Sequence, residues 1–410
     1  MGKGDEVMAV YALSRPRVLK DAPVRRLRVF PSVGESMVSP GSKVEAGTIL
    51  GKYASRQRLR FVRMETAGDK IAATLLVTEG QKVKRGEVLG YYSYMFGLGY
   101  TEYTSPCDGE IEVISHATGR VAIKEEPSEM ASHLPGTVEH VEEAVGVLVR
   151  TRGHMVVGAA GAGYARLGAL VRKAGEPTEQ VSPQKVSPQD ADRVVLAGST
   201  VTKELLEACL RSRVAAIIAG SAPFSVVQWY ENLVQELDWD EFLARYWARE
   251  LKKKDAVVPR PTEIVPALVL TEGYGNMPMS DEAFELLSSF EGKPVFVDGA
   301  SLAGVAAGRW DAGPCVIMPF AGAGGEEATD GSAGSGSGDP AGRPKALREL
   351  APGVRVRVYG LTREPVEGTV EGPAQEDSAL RVSIPVNSVR VVTKGGETIT
   401  VPAANIQALG

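Results

Sequence analysis

The hydrophobic pattern of this chain repeats itself early. Val38–Gly51, VSPGSKVEAGTILG, and Val77–Gly90, VTEGQKVKRGEVLG, align without a gap. They share Val38/Val77, Gly41/Gly80, Lys43/Lys82, Val44/Val83, Gly47/Gly86, Leu50/Leu89 and Gly51/Gly90. Such self-similarity marks a repeated supersecondary unit. The pattern predicts a strand, a turn at the first glycine, a short Lys-Val strand, a second turn and a strand entering at Leu. Both turns call for positive φ, which glycine adopts at no steric cost. A second motif also recurs. Gly109-Glu-Ile-Glu-Val-Ile with Gly119 ten residues on parallels Gly136-Thr-Val-Glu-His-Val with Gly146 ten residues on. Two first halves followed by two second halves predict interleaved or nested units.

Past Val194 the pattern changes to alternating strands and helices. Val194–Ala197, Val214–Ala219, Ile264–Leu270, Pro294–Val297 and Cys315–Met318 are short apolar runs, as expected of strands covered on both faces. Between them, Val201–Arg211 and Asp281–Phe290 have helical spacing, the latter with Ser280 as N-cap. This alternation predicts a small, mostly parallel, Rossmann-like three-layer α/β domain over residues 193–320. Residues 224–254 interrupt it as two helices meeting near Asp238 and carrying Trp229, Trp239 and Trp247. They either pack on the sheet or form a lid. Residues 1–24 read as an arm or first edge strand. Gly153–Ala174 reads as strand and loop closing the first domain, residues 25–175. Residues 176–192, with two Ser-Pro steps and no apolar period, read as a linker. Residues 321–345 form a disordered Gly/Ser-rich linker by composition, which lets the segment beyond move independently. Residues 346–410 are β-rich, with Gly395-Gly396 as a hairpin signal.

The G-x-K-V-x-x-G-x-x-L-G pattern, with Ser105–Val113, SPCDGEIEV, as its second half, resembles the biotinyl/lipoyl-like or barrel-sandwich hybrid fold. The resemblance covers residues 25–150. It is shared by the N-terminal domain of the C subunit of Rnf-type electron-transfer complexes. Carrier members of the fold present a modifiable lysine between the two halves. Here that connection, Tyr91–Thr104, YYSYMFGLGYTEYT, holds no lysine, so the resemblance implies no covalent cofactor. Its tyrosines suit a packed β-hairpin, with a ligand-stacking surface as the alternative. Rnf-type proteins carry cysteine clusters, whereas this chain has only Cys107, Cys209 and Cys315, far apart in sequence. Gly353-Val-Arg-Val-Arg-Val with Gly360 and Gly368-Thr-Val resembles the small SH3-like barrel of KOW-type domains, which often contact RNA or the transcription and translation machinery.

Composition narrows the chemistry. Three scattered cysteines form no disulfide framework and suit a reducing, cytoplasmic setting. Four separate histidines form no H-x-x-x-H motif, so no metal site is expected. No apolar run is long enough for a membrane span. No Ser-His-Asp order, nucleophile elbow or P-loop is present. The net charge of −5 is uneven: thirteen basic against five acidic residues through Met64 leave −13 beyond it. Arg56, Arg58 and Arg60, with Arg63 nearby, read as a solvated face or a contact with an anionic partner. From Leu347 on, seven basic residues balance seven acidic ones, which argues against a primary grip on nucleic acid.

Two turns could bind a small anionic ligand. Gly198–Thr202 supplies Ser199 and Thr200 at a strand-to-helix turn, where free N–H groups favour anions. Thr271–Asn276 supplies Thr271, Glu272, Gly273, Tyr274 and Asn276 past a strand's carboxyl end. The plainer reading of each is capping and turning. Three functions follow: a non-catalytic scaffold or binding protein, favoured here; a regulator or enzyme using the α/β crevice; and an RNA-, ribosome- or transcription-associated factor.

Overall fold

The computed structural model describes residues 11–13, 17–54, 59–67, 70–94, 99–235, 265–299, 313–320, 347–358, 366–373 and 388–409. Along the chain, β1 (Tyr11–Leu13) precedes a long strand, β2 (Arg17–Ser36), followed by β3 (Lys43–Val44) and β4 (Ile49–Tyr53). Next come β5 (Leu59–Arg63), a small hairpin of β6 (Thr66–Ala67) and β7 (Lys70–Ile71), and then β8 (Thr74–Leu75) and β9 (Lys82–Val83). They are followed by β10 (Val88–Tyr94), β11 (Gly99–Thr104), β12 (Gly109–Ser115) and β13 (Arg120–Glu125). The chain then forms β14 (Ser128–Ala131), β15 (Gly136–Glu142) and β16 (Ala144–Val157).

The pairing of these strands is nested. β12 closes on β9 with Gly109 opposite Val83, and β15 closes on β3 with Gly136 opposite Val44. The last second half therefore serves the first first-half, and β5–β13 sits inside the β4–β14 hairpin, where Tyr53 faces Ser128. Correspondence extends to single atoms. Ser105 Oγ donates to the Cys107 carbonyl and Ser132 Oγ to the Leu134 carbonyl, each at 2.6 Å. Gly80 N donates to Ile111 O and Gly41 N to Val138 O. Each unit closes its own core: Val83, Leu89, Cys107 and Ile111 in the inserted unit, Val44, Leu50, Met130 and Val138 in the outer one. Burying one such aliphatic side chain contributes roughly 1.5–3 kcal/mol, so the conserved spacing follows from packing. At the first turn Gly41 and Gly80 have φ of 85° and 80°. At the second only Gly86 does; Gly47 keeps an ordinary φ, contrary to expectation.

Residues 17–24 are not an arm. They lie within β2, paired with the end of β16 as far as Arg17–Val157, and Val24 is buried. β16 continues through β23 (Cys315–Pro319) and β22 (Pro294–Asp298) into the α/β region, so one sheet runs through both. There, β17 (Ala160–Ala162) and β18 (Arg166–Arg172) precede β19 (Val194–Leu196), β20 (Ala216–Ala222) and β21 (Ala267–Tyr274). β18, β19, β20 and β21 pair in parallel in that order. β18 thus opens the parallel sheet rather than closing the first domain. β22 joins its other side antiparallel, as β17 does at β21. The 176–192 segment is packed, not a free linker. Val181 and Val186 lie in the core, and Asp190 caps a 3-10 turn while meeting Lys173 at 2.8 Å.

Helices α1 (Lys203–Arg211), α2 (Phe224–Gln235) and α3 (Asp281–Ser288) follow β19, β20 and β21. The second expected Trp-bearing helix and the Gly/Ser-rich 321–345 lie outside the described residues. β24 (Leu347–Glu349) pairs with β1. A separate antiparallel sheet contains β25 (Arg355–Val358), β26 (Val366–Pro373), β27 (Ser388–Thr393), β28 (Thr398–Pro402) and β29 (Ile406–Ala408), in the order β28-β27-β26-β25-β29. The expected glycine hairpin joins β27 to β28, with Gly396 at φ 82°. The chain is therefore β-rich, with α-helices confined to the region of the parallel strands among the described residues.

Candidate functional site

Parallel pairing puts the ends of β19, β20 and β21 on one edge. Thr200 bridges Ser221, and Ser221 faces Gly273. Two strand spacings separate Thr200 from Gly273, roughly 10 Å. The structure thus brings the two predicted turns together. It also fills the space between them. Thr200 Oγ1 donates to Asn276 Oδ1 at 2.5 Å and lies 3.1 Å from Ser221 Oγ. Ser221 Oγ in turn donates to Met277 O (2.9 Å) and accepts from Met277 N (2.7 Å). The 275–279 segment lies so close over Gly220 that an added Cβ would sit 2.6 Å from Met277 O. Ser199, Thr200, Thr271, Glu272 and Tyr274 are all buried.

Thr271, Glu272, Gly273 and Tyr274 are strand residues of β21, not a loop beyond it. Glu272 accepts from Ser280 N at 3.2 Å, which places its carboxylate at the start of α3. A carboxylate there complements the positive end of the helix dipole. Tyr274 packs edge-on against Phe224, with centroids 5.1 Å apart. Asn405, from the C-terminal sheet, holds both backbone groups of Tyr274: Tyr274 N donates to Oδ1 (3.2 Å), and Nδ2 donates to Tyr274 O (2.6 Å).

The α1 N-terminus is capped by Thr202, whose Oγ1 accepts from Leu205 N, and not by Ser199 or Thr200. Glu204, in the first turn, is held below the usual carboxylate range by its own backbone N–H and by the Thr202 hydroxyl. The dipole is thereby used internally. The strand order also runs without reversal from β18 to β21. Ligand crevices in open α/β sheets form where that order reverses. Chemically, this edge is a closed hydrogen-bond network.

Of the arginine stripe, Arg56 and Arg58 lie outside the described residues. Arg60 and Arg63 occupy opposite faces of β5. Arg60 turns inward to Glu125 (3.3 Å), while Arg63 points outward beside Phe61. Among the described residues no group of three or more His, Cys, Asp or Glu is placed to hold a metal. The three cysteines are free and buried. Cys107 occupies the position of Leu134 in the other unit, and burial pushes its thiol up to about 11.

Sequence reasoning missed the main buried charge cluster. Arg26 and Arg28 of β2 meet Asp298 at the end of β22, at 2.6 and 3.6 Å. Arg26 also donates to Gly313 O and Arg28 to Ser132 O, and Arg28 lies 5.1 Å from the Phe296 ring centroid. Burial and Arg28 push His133 down to about 4, so it is neutral at pH 7. The cluster fastens the outer β unit to the α/β sheet. Nothing local marks it, since its partners are 272 residues apart. Sequence reasoning also passed over Glu231 on α2, which is buried and whose carboxyl is pushed up to about 7 by desolvation.

The large apolar side chains left exposed are all elsewhere. Among the described residues they are Val29, Val33, Met37, Leu59, Phe61, Leu76, Tyr91, Tyr94, Tyr100, Val113 and Val145. Every one belongs to the nested pair. On the outer face of β10–β11, Tyr91 faces Glu102 and Ser93 faces Tyr100, which makes the two tyrosines diagonal neighbours. Tyr92 and Tyr103 turn inward to the core. The chain matches no protein-family model, no curated protein and no solved structure. No helix among the described residues is long and apolar enough to cross a membrane.

Proposed function

We propose that this chain is a non-catalytic, cytoplasmic binding protein whose docking element is a nested pair of barrel-sandwich hybrid units. The observation that carries this reading is the distribution of exposed apolar side chains. All of them, among the described residues, fall between Val29 and Val145, whereas the α/β edge is occupied by the chain's own residues. Exposed aromatic and aliphatic groups gathered in one region mark interaction surfaces. The Tyr91–Tyr100 face is the docking surface for a protein partner, because tyrosine offers a broad contact area and a hydrogen-bonding hydroxyl. It lies on the hairpin where carrier domains of the resembled fold present their lysine.

In this reading the α/β region is a Rossmann-like layer without a switch point, and residues 346–410 are an SH3-like, KOW-type barrel. Five short antiparallel strands around one small core support the second assignment. Both serve as frame. The test has two arms. A photo-crosslinking side chain at Tyr100 is expected to capture one defined partner in the native host, and Tyr91→Ser is expected to abolish that capture at unchanged melting temperature. A thermal-shift screen with nucleotides and phosphorylated metabolites is expected to give no saturable stabilisation. A ligand that raises the melting temperature, and loses that effect in Thr200→Val, would move the function to the α/β edge instead.

A further inference from the structure

The opposite face of the inserted unit carries a different surface. β5 is the edge of the four-stranded sheet β5-β13-β12-β9. Its outward side chains are Leu59, Phe61 and Arg63. Phe61 faces Ala122, and Ala122 faces Val113, so one apolar row crosses the sheet and ends at the edge with Phe61 61% exposed. The outer unit supplies an internal comparison. Leu27 pairs with Leu148 as Phe61 pairs with Ala122, yet Leu27 is 2% exposed. The same position is a covered contact in one unit and an open one in the other.

We infer that this chain self-associates through antiparallel pairing of β5 with β5 of a second copy, centred on Phe61. The charges on the strand argue for this occupant. Edge strands are commonly protected by charges that would oppose a second strand. In the register centred on Phe61, Arg60 faces Val62 of the other copy and Arg63 faces its Leu59, so no like charges meet. Arg60 is in addition neutralised by Glu125 at 3.3 Å. A one-residue shift in one direction would set Arg60 against Arg63, and either one-residue shift would put opposite faces together, so both slips are disfavoured. The pairing joins two apolar rows into one, Val113–Ala122–Phe61 running into its symmetry mate across an eight-stranded sheet. An edge contact of this kind is small, so the dimer is a concentration-dependent one. It leaves the Tyr91–Tyr100 face of each copy free, and does not depend on that face having a partner.

The test uses the full chain. Sedimentation is expected to show a monomer–dimer equilibrium, and Phe61→Lys is expected to be monomeric throughout, with an unchanged melting temperature because the side chain is exposed. Directly opposed residues in an antiparallel pair lie about 4.5–5.5 Å apart at Cα, within disulfide range. Phe61→Cys is therefore expected to form a covalent dimer under mild oxidation. Arg63→Cys, whose symmetry mate would be four residues along the strand and roughly 13 Å away, is expected to do so at least about tenfold more slowly. The native cysteines are buried and do not compete. A chain that stays monomeric up to about 1 mM, the weak end of measurable association, would overturn the proposal. A dimer that survives Phe61→Lys, or equal cross-linking of the two cysteine variants, would overturn it as well.

Discussion

Asn405 holds Tyr274 by both of its backbone groups, at 3.2 and 2.6 Å, and so ties the C-terminal sheet to the last parallel strand. Both residues are buried. The Gly/Ser-rich composition of residues 321–345 predicts a C-terminal segment moving on its own, yet the segment is docked. Replacement of Asn405 by Ala leaves a buried N–H and a buried carbonyl unpaired, at a cost of about 1–3 kcal/mol. The expected result is a lower melting temperature and faster proteolytic release of the C-terminal sheet. Asn405→Asp is expected to cost at least as much at pH 7, since its carboxylate sets a buried charge against the Tyr274 carbonyl.

The two units predict a matched pair of glycine effects. A Cβ at Gly109 would collide with the Lys124 carbonyl, and one at Gly136 with the Arg150 carbonyl. Both obstacles are backbone and cannot swing away. Gly136→Ala is expected to lower the melting temperature of the whole chain, because the outer unit shares its sheet with the α/β region. Gly109→Ala is expected to loosen residues 59–125 alone, by about 1–3 kcal/mol, as read by hydrogen exchange.

Asp298 compensates two buried guanidinium groups. Arg28 is pushed down to about 10 by burial, which Asp298 partly offsets. Asp298→Asn removes the shared counter-charge and is expected to cost about 3–5 kcal/mol in chemical denaturation. A change below about 1 kcal/mol, the usual worth of an exposed pair, would count against the role assigned to the cluster.

Glu231 makes stability depend on pH with a definite sign. Its carboxyl ordinarily titrates near 4.5 and is pushed up to about 7 in the fold by burial. Between those values the unfolded chain has lost a proton that the folded chain keeps, so stability falls as pH rises through this window and levels off above it. His133, pushed down to about 4 from 6.5, acts with the opposite sign over much of the same range. The difference between the native chain and Glu231→Gln isolates the carboxyl. At pH 8 the variant is expected to be the more stable by roughly 1–3 kcal/mol, and the gap is expected to close towards pH 4.5.

What the sequence disclosed follows from range. The repeated strand-turn-strand unit is legible because Val44/Val83 and Leu50/Leu89 recur at fixed spacing around turn glycines, and both pairs are core positions. Which second half closes which first half depends on strand pairing across Gly136–Val44 and Gly109–Val83, which no local pattern encodes. What claims β18 for the parallel sheet, its pairing with β19 across residues 176–192, is not a local pattern, and its Gly168 stands where the Asp192 carbonyl leaves no room for a Cβ. Residues 176–192 look like a linker in the sequence because Val181 and Val186 have no periodic neighbours, and proline starts each short 3-10 turn. At the α/β edge the two turns named from the sequence are neighbours on parallel strands. Their occupation by Asn276, Met277 and Asn405 was invisible, because the last of these lies 131 residues from its partner.

The inserted unit closes by itself and carries the proposed docking surface, inside an outer unit that closes without it. Calorimetry of a chain in which residues 55–126 are replaced by Asn-Gly tests this most directly, since Tyr53 and Ser128 are already paired across the gap. The predicted result is a cooperative transition for the shortened chain within a few degrees of the outer unit's transition in the full chain, with partner capture and self-association both lost. Collapse of the shortened chain to an unfolded or aggregated state, with no transition, would contradict it.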